Sequence, residues 1–295
     1  MDRILEIVNE IPPVTKYWVI GIFLTSVLTT SKLVLKNNLI FVPDKALGVQ
    51  CWRLVTSFCY FEDLSLRFLL YLWLMMNSSR FIEESFKTSL HLFPFSIDQL
   101  NPAQLEILNQ VIDKNRSIDY FHYLILICSS IVITASFGYY LFDLKIMFLG
   151  PLLDDILFYI WCRKNSLMEI NILGIFTITA ANLPWCYAFL NLLMSDFFQR
   201  VLDAISNGKF TMSVITKEQF FWRVIIYCTL GHFWWYTRDF LLPYVYWQKD
   251  KERRLLRAET FQIYRVKRAN VVRTVLAVML LPPWYWIILQ KIRST

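Results

Sequence analysis

The lengths of its apolar stretches set the tightest limit on what this chain can fold into. A helix needs about 20 mostly apolar residues to cross a bilayer, because lipid satisfies none of the backbone N–H and C=O groups. Six stretches approach that requirement: Tyr17–Leu35, Leu64–Phe81, Tyr120–Phe142, Ile146–Trp161, Ile170–Met194 and Phe220–Trp247. The second and fourth are short, and several carry internal charges. A seventh, Val275–Leu289, is shorter still and is broken by Pro282–Pro283. It is read as interfacial, with a re-entrant or spanning path as the alternatives. With 56% hydrophobic and only 18% charged residues in a chain of 295, a soluble globule could not bury its apolar surface. The same numbers exclude a disordered chain. The expected fold class is therefore an all-α membrane protein, a six-helix bundle. Seven glycines in the whole chain argue against Gly-rich nucleotide loops and against short β-hairpins.

The pieces between the apolar stretches have their own patterns. In residues 1–11, Ile4, Ile7, Val8 and Ile11 share a helical face, predicting a membrane-surface helix that stops at Pro12–Pro13. The first loop, Lys36–Asp63, is apolar enough to sit partly in the bilayer interface. Residues 87–118 form a polar insertion. Within it Asn101 can cap a helix, Pro102 suits the first turn, and Leu105, Leu108, Val111 and Ile112 share a face. Residues 196–219 make another polar connector. The domain reading is a membrane domain over residues 1–248 and a basic tail over 249–295.

The net charge of +7 comes from juxtamembrane residues, mainly Lys249, Lys251, Arg253, Arg254, Arg257, Arg265, Lys267 and Arg268. With Arg163–Lys164, they place the N-terminus, the loop after the second helix, the loop after the fourth and the tail on the cytosolic side. The tail is expected to lie as an amphipathic helix on anionic lipid, with a soluble partner as the second choice. Nucleic acid is not the expected partner. The start of the chain is too polar for a cleavable signal peptide, so the first apolar segment is expected to act as the membrane signal. Six cysteines without a CxxC pair point to neither a zinc site nor a disulfide framework, and no cofactor or metal is expected.

The polar residues inside the apolar segments are the candidate functional residues. Asp154 and Asp155 are adjacent acids in a short apolar helix, where carboxylates are costly and mark functional sites. They point about 100° apart, so they form no acid dyad. The open readings are pairing with a nearby polar group or lining a hydrophilic cavity. Asn171, Asn182 and Asn191 are read as hydrogen-bonding glue on the fifth helix, with a polar lumen second. Asp239, seven residues after His232, is placed two turns on and facing the same way, and Arg238 is expected to snorkel or pair locally. Trp52–Arg53 is an amphipathic pair. Its indole suits the headgroup level, and its guanidinium can take phosphates, backbone carbonyls or a helix end.

Several motifs, in order, resemble the derlin family of rhomboid-like proteins. They are Ile11-Pro12-Pro13-Val14-Thr15-Lys16-Tyr17, Gln50-Cys51-Trp52-Arg53-Leu54 and Arg80-Phe81-Ile82-Glu83-Glu84. The stretch from Phe148-Leu149-Gly150 through Trp161-Cys162-Arg163-Lys164-Asn165 to Leu183-Pro184-Trp185 follows, then Gly231-His232 with Asp239 and Pro243. The resemblance implies a rhomboid-like bundle in the endoplasmic reticulum membrane that is not an enzyme. It would help move misfolded proteins to the cytosol for ubiquitination and degradation. Implied partners are those clients, a membrane ubiquitin ligase complex and the lipid bilayer. Some derlins recruit a cytosolic AAA ATPase through a basic-glycine motif, which Lys291–Thr295 does not match. Where a helix-6 GxxxG would stand, Tyr227 occupies the position four before Gly231. An active rhomboid protease needs a GxSG serine at the start of helix 4, and this chain reads Gly150-Pro151-Leu152-Leu153-Asp154-Asp155 there. His232 stands where the base would stand, and it is read as a structural histidine within the bundle. The rival from another class is a transporter or channel using Asp154, Asp155 and His232.

Overall fold

The computed structural model describes residues 10–93, 100–172, 176–193, 219–241 and 274–294. Nearly all of the expected surface helix (residues 1–11), nearly all of the connector 196–219, and the basic tail Lys249–Arg268 lie outside the described residues. The described residues are mostly helical. In chain order they form α1 (Pro13–Thr30), α2 (Pro43–Ala46), α3 (Arg53–Cys59), α4 (Leu66–Glu84), α5 (Pro102–Lys114), α6 (Arg116–Phe142) and α7 (Gly150–Lys164). Then come β1 (Glu169–Ile172), β2 (Phe176–Thr179), α8 (Leu183–Leu193), α9 (Gln219–Trp235), α10 (Thr274–Leu280) and α11 (Trp284–Ser294). A π-helical segment, Tyr236–Leu241, continues α9. The chain divides into two compact units, one of residues Met1–Ile82 and Leu126–Phe233, the other of Glu83–Ile125 and Trp234–Thr295.

In the first unit, α1 is inverted relative to a helix of a soluble protein. Its buried positions are Thr15, Ile22, Ser26 and Thr29, while Ile20, Phe23, Leu24 and Leu28 are exposed. Small and hydroxyl residues inside with large apolar ones outside is the pattern of a helix whose outer solvent is lipid. Thr15 Oγ1 and Ser79 Oγ meet at 2.9 Å, joining α1 to α4. Below that contact Ile22, Phe68 and Met75 form a buried cluster flanked by Trp18 and Phe61. α7 is buried on nearly every side, which makes it the central helix of the unit. Pro151 lies in its first turn, where a missing N–H costs nothing, and Arg163 and Lys164 end it where positive charge suits the helix dipole. Gly150 is required at its start, because a Cβ there would stand 2.7 Å from the Phe61 ring and 2.8 Å from the Phe58 carbonyl. Of the described helices, α6 alone is by itself long and apolar enough to cross a membrane.

The fifth apolar segment does not form the expected single helix. Residues Glu169–Ile172 and Phe176–Thr179 pair as an antiparallel hairpin, with Glu169 opposite Thr179 and Ile172 opposite Phe176. The scarcity of glycine therefore did not exclude a hairpin. Two features explain it. Glu169-Ile170-Asn171-Ile172 and Phe176-Thr177-Ile178-Thr179 alternate polar and apolar residues and are rich in β-branched side chains, a period-2 pattern. A continuous helix would also place Pro184 in its interior, whereas in α8 the proline lies in the first turn. α8 as described has 11 residues, about 16 Å of helix, too short to span by itself.

The second unit holds α5, the first turns of α6, the π-helical segment and the C-terminal pair α10–α11. As expected, Pro102 opens α5, the Gln104 Oε1 atom accepts the Asn101 N–H at 3.1 Å, and Leu108 and Ile112 are buried. The seventh apolar segment is two helices bent by 109° at the Pro282–Pro283 break. The unit is centred on Asp119, which is 1% exposed. Its carboxylate accepts hydrogen bonds from Trp284 Nε1 at 3.0 Å, Tyr285 Oη at 2.6 Å and Thr88 Oγ1 at 2.5 Å. Gln104 Nε2 also donates to the Ile292 carbonyl at 3.1 Å. The described parts of the polar insertion and the C-terminal helix pair are thus one packed body.

Candidate functional site

The polar centre of the first unit lies between α7 and α9. Asp154 and Asp155 are both buried, at 8% and 3% exposure. Asp155 is paired. Arg223 Nε donates to its Oδ2 at 2.7 Å and Arg223 Nη2 approaches the same oxygen at 2.6 Å, while Nη2 also reaches the Pro151 carbonyl at 3.3 Å. Of the two readings open for the acids, pairing with a nearby polar group describes Asp155. Asp154 lies close to the buried hydroxyl of Tyr71, which makes no full hydrogen bond among the described residues. Arg223 was the partner that sequence reasoning missed. The available signal was a basic residue near the start of the sixth apolar segment, since an acid in one segment calls for a base in another.

One to two turns further along α7, a second polar contact forms. Arg163 Nε donates to Tyr159 Oη at 3.1 Å, and its guanidinium lies 5.3 Å from the same ring. Tyr159 Oη and His232 Nδ1 are 3.2 Å apart. With Arg163 donating to the phenol oxygen, the phenol proton can go to Nδ1, which leaves the imidazole proton on Nε2. His232 is hydrogen-bonded, as expected for a structural histidine, but it is exposed on its unit rather than enclosed. The hydroxyl it meets belongs to a tyrosine. Gly231 beside it allows this approach, because a Cβ there would stand 2.8 Å from the Tyr159 ring. Tyr227, in place of the small residue of a GxxxG, is buried and its hydroxyl donates to the Pro184 carbonyl at 3.3 Å.

The first loop is organised by Arg53. Its side chain is 4% exposed. Nε donates to Gln50 Oε1 at 2.6 Å, and Nη1 to the carbonyls of Asn37 and Ile40 at 2.7 and 2.8 Å. Of the partners open to this guanidinium, backbone carbonyls are the ones it takes. Trp52 beside it is exposed, an orientation that suits the headgroup level.

Two expected site residues are placed otherwise. Asn182 is not on a helix facing a lumen; it ends a 3₁₀ turn, is exposed, and bonds locally to Thr179 Oγ1 at 3.2 Å. Asn171 stands on β1, and the side chain of Asn191 lies outside what is described. Asp239 lies in the π-helical segment, where i→i+5 bonding widens the turn, so seven residues are no longer two turns from His232. Arg238 pairs far along the chain rather than locally, the Lys87 carbonyl being 151 residues away. Its guanidinium lies 3.7 Å from the centre of the Phe86 ring and donates to the Lys87 carbonyl at 3.0 Å. Among the described residues, no group of three His, Cys, Asp or Glu could hold a metal.

Apolar outer faces around a half-buried ion pair are the pattern of a helical membrane protein, and its relatives make the class specific. Residues 11–220 match the model of the Der1-like family, and the chain belongs to that family. α9 beyond Phe220, with Arg223, Gly231 and His232, lies past the matched stretch. A probable derlin-2 homolog of Dictyostelium discoideum is 27% identical over 67% of this chain and 69% of its own length. Derlin-2.1 of Zea mays is 25% identical over 64% of this chain and 68% of its own length. Derlin-1 of Arabidopsis thaliana is 23% identical over 69% of this chain and 71% of its own length.

Proposed function

We propose that this protein is a non-catalytic, derlin-like component of endoplasmic-reticulum-associated degradation that assists retrotranslocation of misfolded proteins. It sits in the endoplasmic reticulum membrane as a six-helix, rhomboid-like bundle with a cytosolic N-terminus, cytosolic insertion and cytosolic tail. Membership of the Der1-like family over residues 11–220 is the observation that carries the reading. The chemistry of the α7–α9 contact agrees with it. Where a rhomboid serine would stand, the chain has Leu152-Leu153-Asp154-Asp155, and Asp155 is committed to Arg223. His232 is turned to a phenol, and a base without a nucleophile cleaves no peptide bond. Its partners on this reading are misfolded lumenal or membrane clients, a membrane ubiquitin ligase complex and the bilayer, with the AAA ATPase reached through other surfaces.

Two physical features support assistance to a crossing polypeptide. α7 has 15 residues, about 22 Å of helix, against a hydrocarbon core of about 30 Å. A bundle built around so short a helix favours a thinner bilayer at its edge. Arg223 is also partly exposed beside a buried carboxylate, and His232 is exposed near it along α9. A polar segment of a client meets a smaller desolvation cost there than in intact lipid.

The test is a degradation chase in cells lacking the protein, following one misfolded lumenal and one misfolded membrane substrate. Wild type, Trp52→Ala and Arg53→Ala are restored at equal expression. The expected result is slowed turnover without the protein, full rescue by wild type and poor rescue by Arg53→Ala. Normal decay of both substrates in the absence of the protein would overturn the reading.

A further inference from the structure

The first unit contains a cavity of about 220 Å³ that the α7–α9 site does not use. Phe41 and Pro43 of the first loop wall it together with Leu144, Ile146 and Met147, and Ala135 of α6 also lines it. The walls are tied together by the Phe41 N–H donating to the Met147 carbonyl at 2.8 Å. Apolar cavities of about 150 Å³ stay dry and take up small apolar molecules such as benzene. This one is larger and opens on one side, and its mainly apolar lining favours an apolar occupant there over water.

Its position says what fills it. The cavity lies beside the C-terminal end of α6, the helix most clearly able to span a membrane. Tyr139 and Tyr140 mark that end as the membrane–water interface. Phe137, Leu141 and Met147 are exposed around it, so the rim faces lipid tails. Polar groups of both signs lie on the interfacial side. Lys145 lines the cavity and is 3.7 Å from Asp143, and Tyr139 and Tyr140 both donate to the Asp44 carboxylate, at 3.3 and 2.7 Å. Lys145 and Tyr139 line the same cavity, and each is paired with an aspartate, Asp143 and Asp44 respectively; cationic, phenolic and acidic groups together match a headgroup that carries both a phosphate and an ammonium.

We propose that this cavity is a binding site for one zwitterionic glycerophospholipid, with an acyl segment between Phe41 and Ile146 and the headgroup between Lys145 and the Asp44–Tyr139 pair. Bound there, the lipid would brace the first loop against the end of α6. The proposal rests on the membrane placement of α6 and is independent of the degradation role.

The test uses the full-length protein in nanodiscs containing phosphatidylcholine with a photoreactive diazirine in one acyl chain. Cross-linked peptides are mapped by mass spectrometry. Enrichment is expected on residues 40–43 and 135–147 over the lipid-facing side of α1 at Ile20–Leu24. Ala135→Leu, which adds volume to the lining, should reduce that enrichment at least five-fold and leave α1 labelling unchanged. Lys145→Glu, at an exposed side chain, should weaken labelling by an anionic phosphatidylglycerol probe more than by phosphatidylcholine. Labelling spread evenly over the exposed apolar surface would overturn the proposal. So would cavity labelling indifferent to both substitutions, or a client peptide cross-linked at these positions in place of lipid.

Discussion

Replacing Arg223 with alanine should destabilise the protein more than replacing the acid it pairs with, and the difference follows from burial. The Asp155 side chain is 4% exposed and that of Arg223 39%. Among the described residues, Arg223 is the one hydrogen-bond partner of the Asp155 carboxylate. Arg223→Ala leaves a buried charge without compensation, a loss of about 3–5 kcal/mol. That lowers the folded-to-unfolded ratio by about two to four powers of ten. Asp155→Ala leaves a guanidinium that still reaches the Pro151 carbonyl and can rehydrate on its open side, so the cost is about 1.5 kcal/mol. The double variant removes the orphan charge and should be more stable than Arg223→Ala alone, with a coupling of about 2 kcal/mol. Unfolding of the purified proteins in mixed micelles with increasing SDS, followed by circular dichroism, measures all four. If Asp155→Ala is the less stable single variant, or if the double variant is no better than Arg223→Ala, the account of this pair is wrong.

Gly231→Leu should force the Tyr159 ring away from α9 and cost about 1–3 kcal/mol, with Gly231→Ala milder; thermal aggregation in detergent ranks them. Asp119→Ala removes a buried acceptor from Thr88, Trp284 and Tyr285, and amide exchange across α10–α11 should rise by more than tenfold. Asp119→Asn keeps one acceptor oxygen for Trp284 and an amide that the two hydroxyls can accept from, and should raise it less. In the first loop, the Lys36 ammonium beside Asp63 holds that carboxyl below its ordinary value of 3.8. A depressed folded pKa means that the contact stabilises the loop above the ordinary carboxylate range and is lost as pH falls through the lowered value. Both side chains are largely exposed, so the effect is small and screened by salt. Exchange of residues 36–63 should therefore be flat from pH 7 to 5 after correction for intrinsic rate and rise only in stronger acid; a rise already at pH 6 would contradict it.

Several features of this protein follow from local sequence. The apolar lengths point to membrane helices, and α1, α4, α6 and α7 lie within a few residues of their predicted bounds. The insertion helix opens at Pro102 and buries Leu108 and Ile112, because capping and 3.6-residue periodicity are encoded within a few turns. The family was legible in the order of short motifs. The hairpin at Glu169–Thr179 was legible too, in its alternation and in Pro184, but mean apolarity over a long window hides a period of two.

What only the tertiary structure decided is which polar groups meet. Asp155 and Arg223 are 68 residues apart, and Tyr159 and His232 are 73 apart. Asp119 meets Trp284 and Tyr285 across 165 and 166 residues. Hydrophobic burial is non-directional, so a run of apolar residues is visible as soon as it is written down. A buried charge or hydroxyl instead needs one partner at about 3 Å with the right geometry, and packing alone selects which of many residues stands there. The sequence marked the buried acids of α7 as costly; the fold determined that one of them is paired across to α9, while Asn182 is left outside.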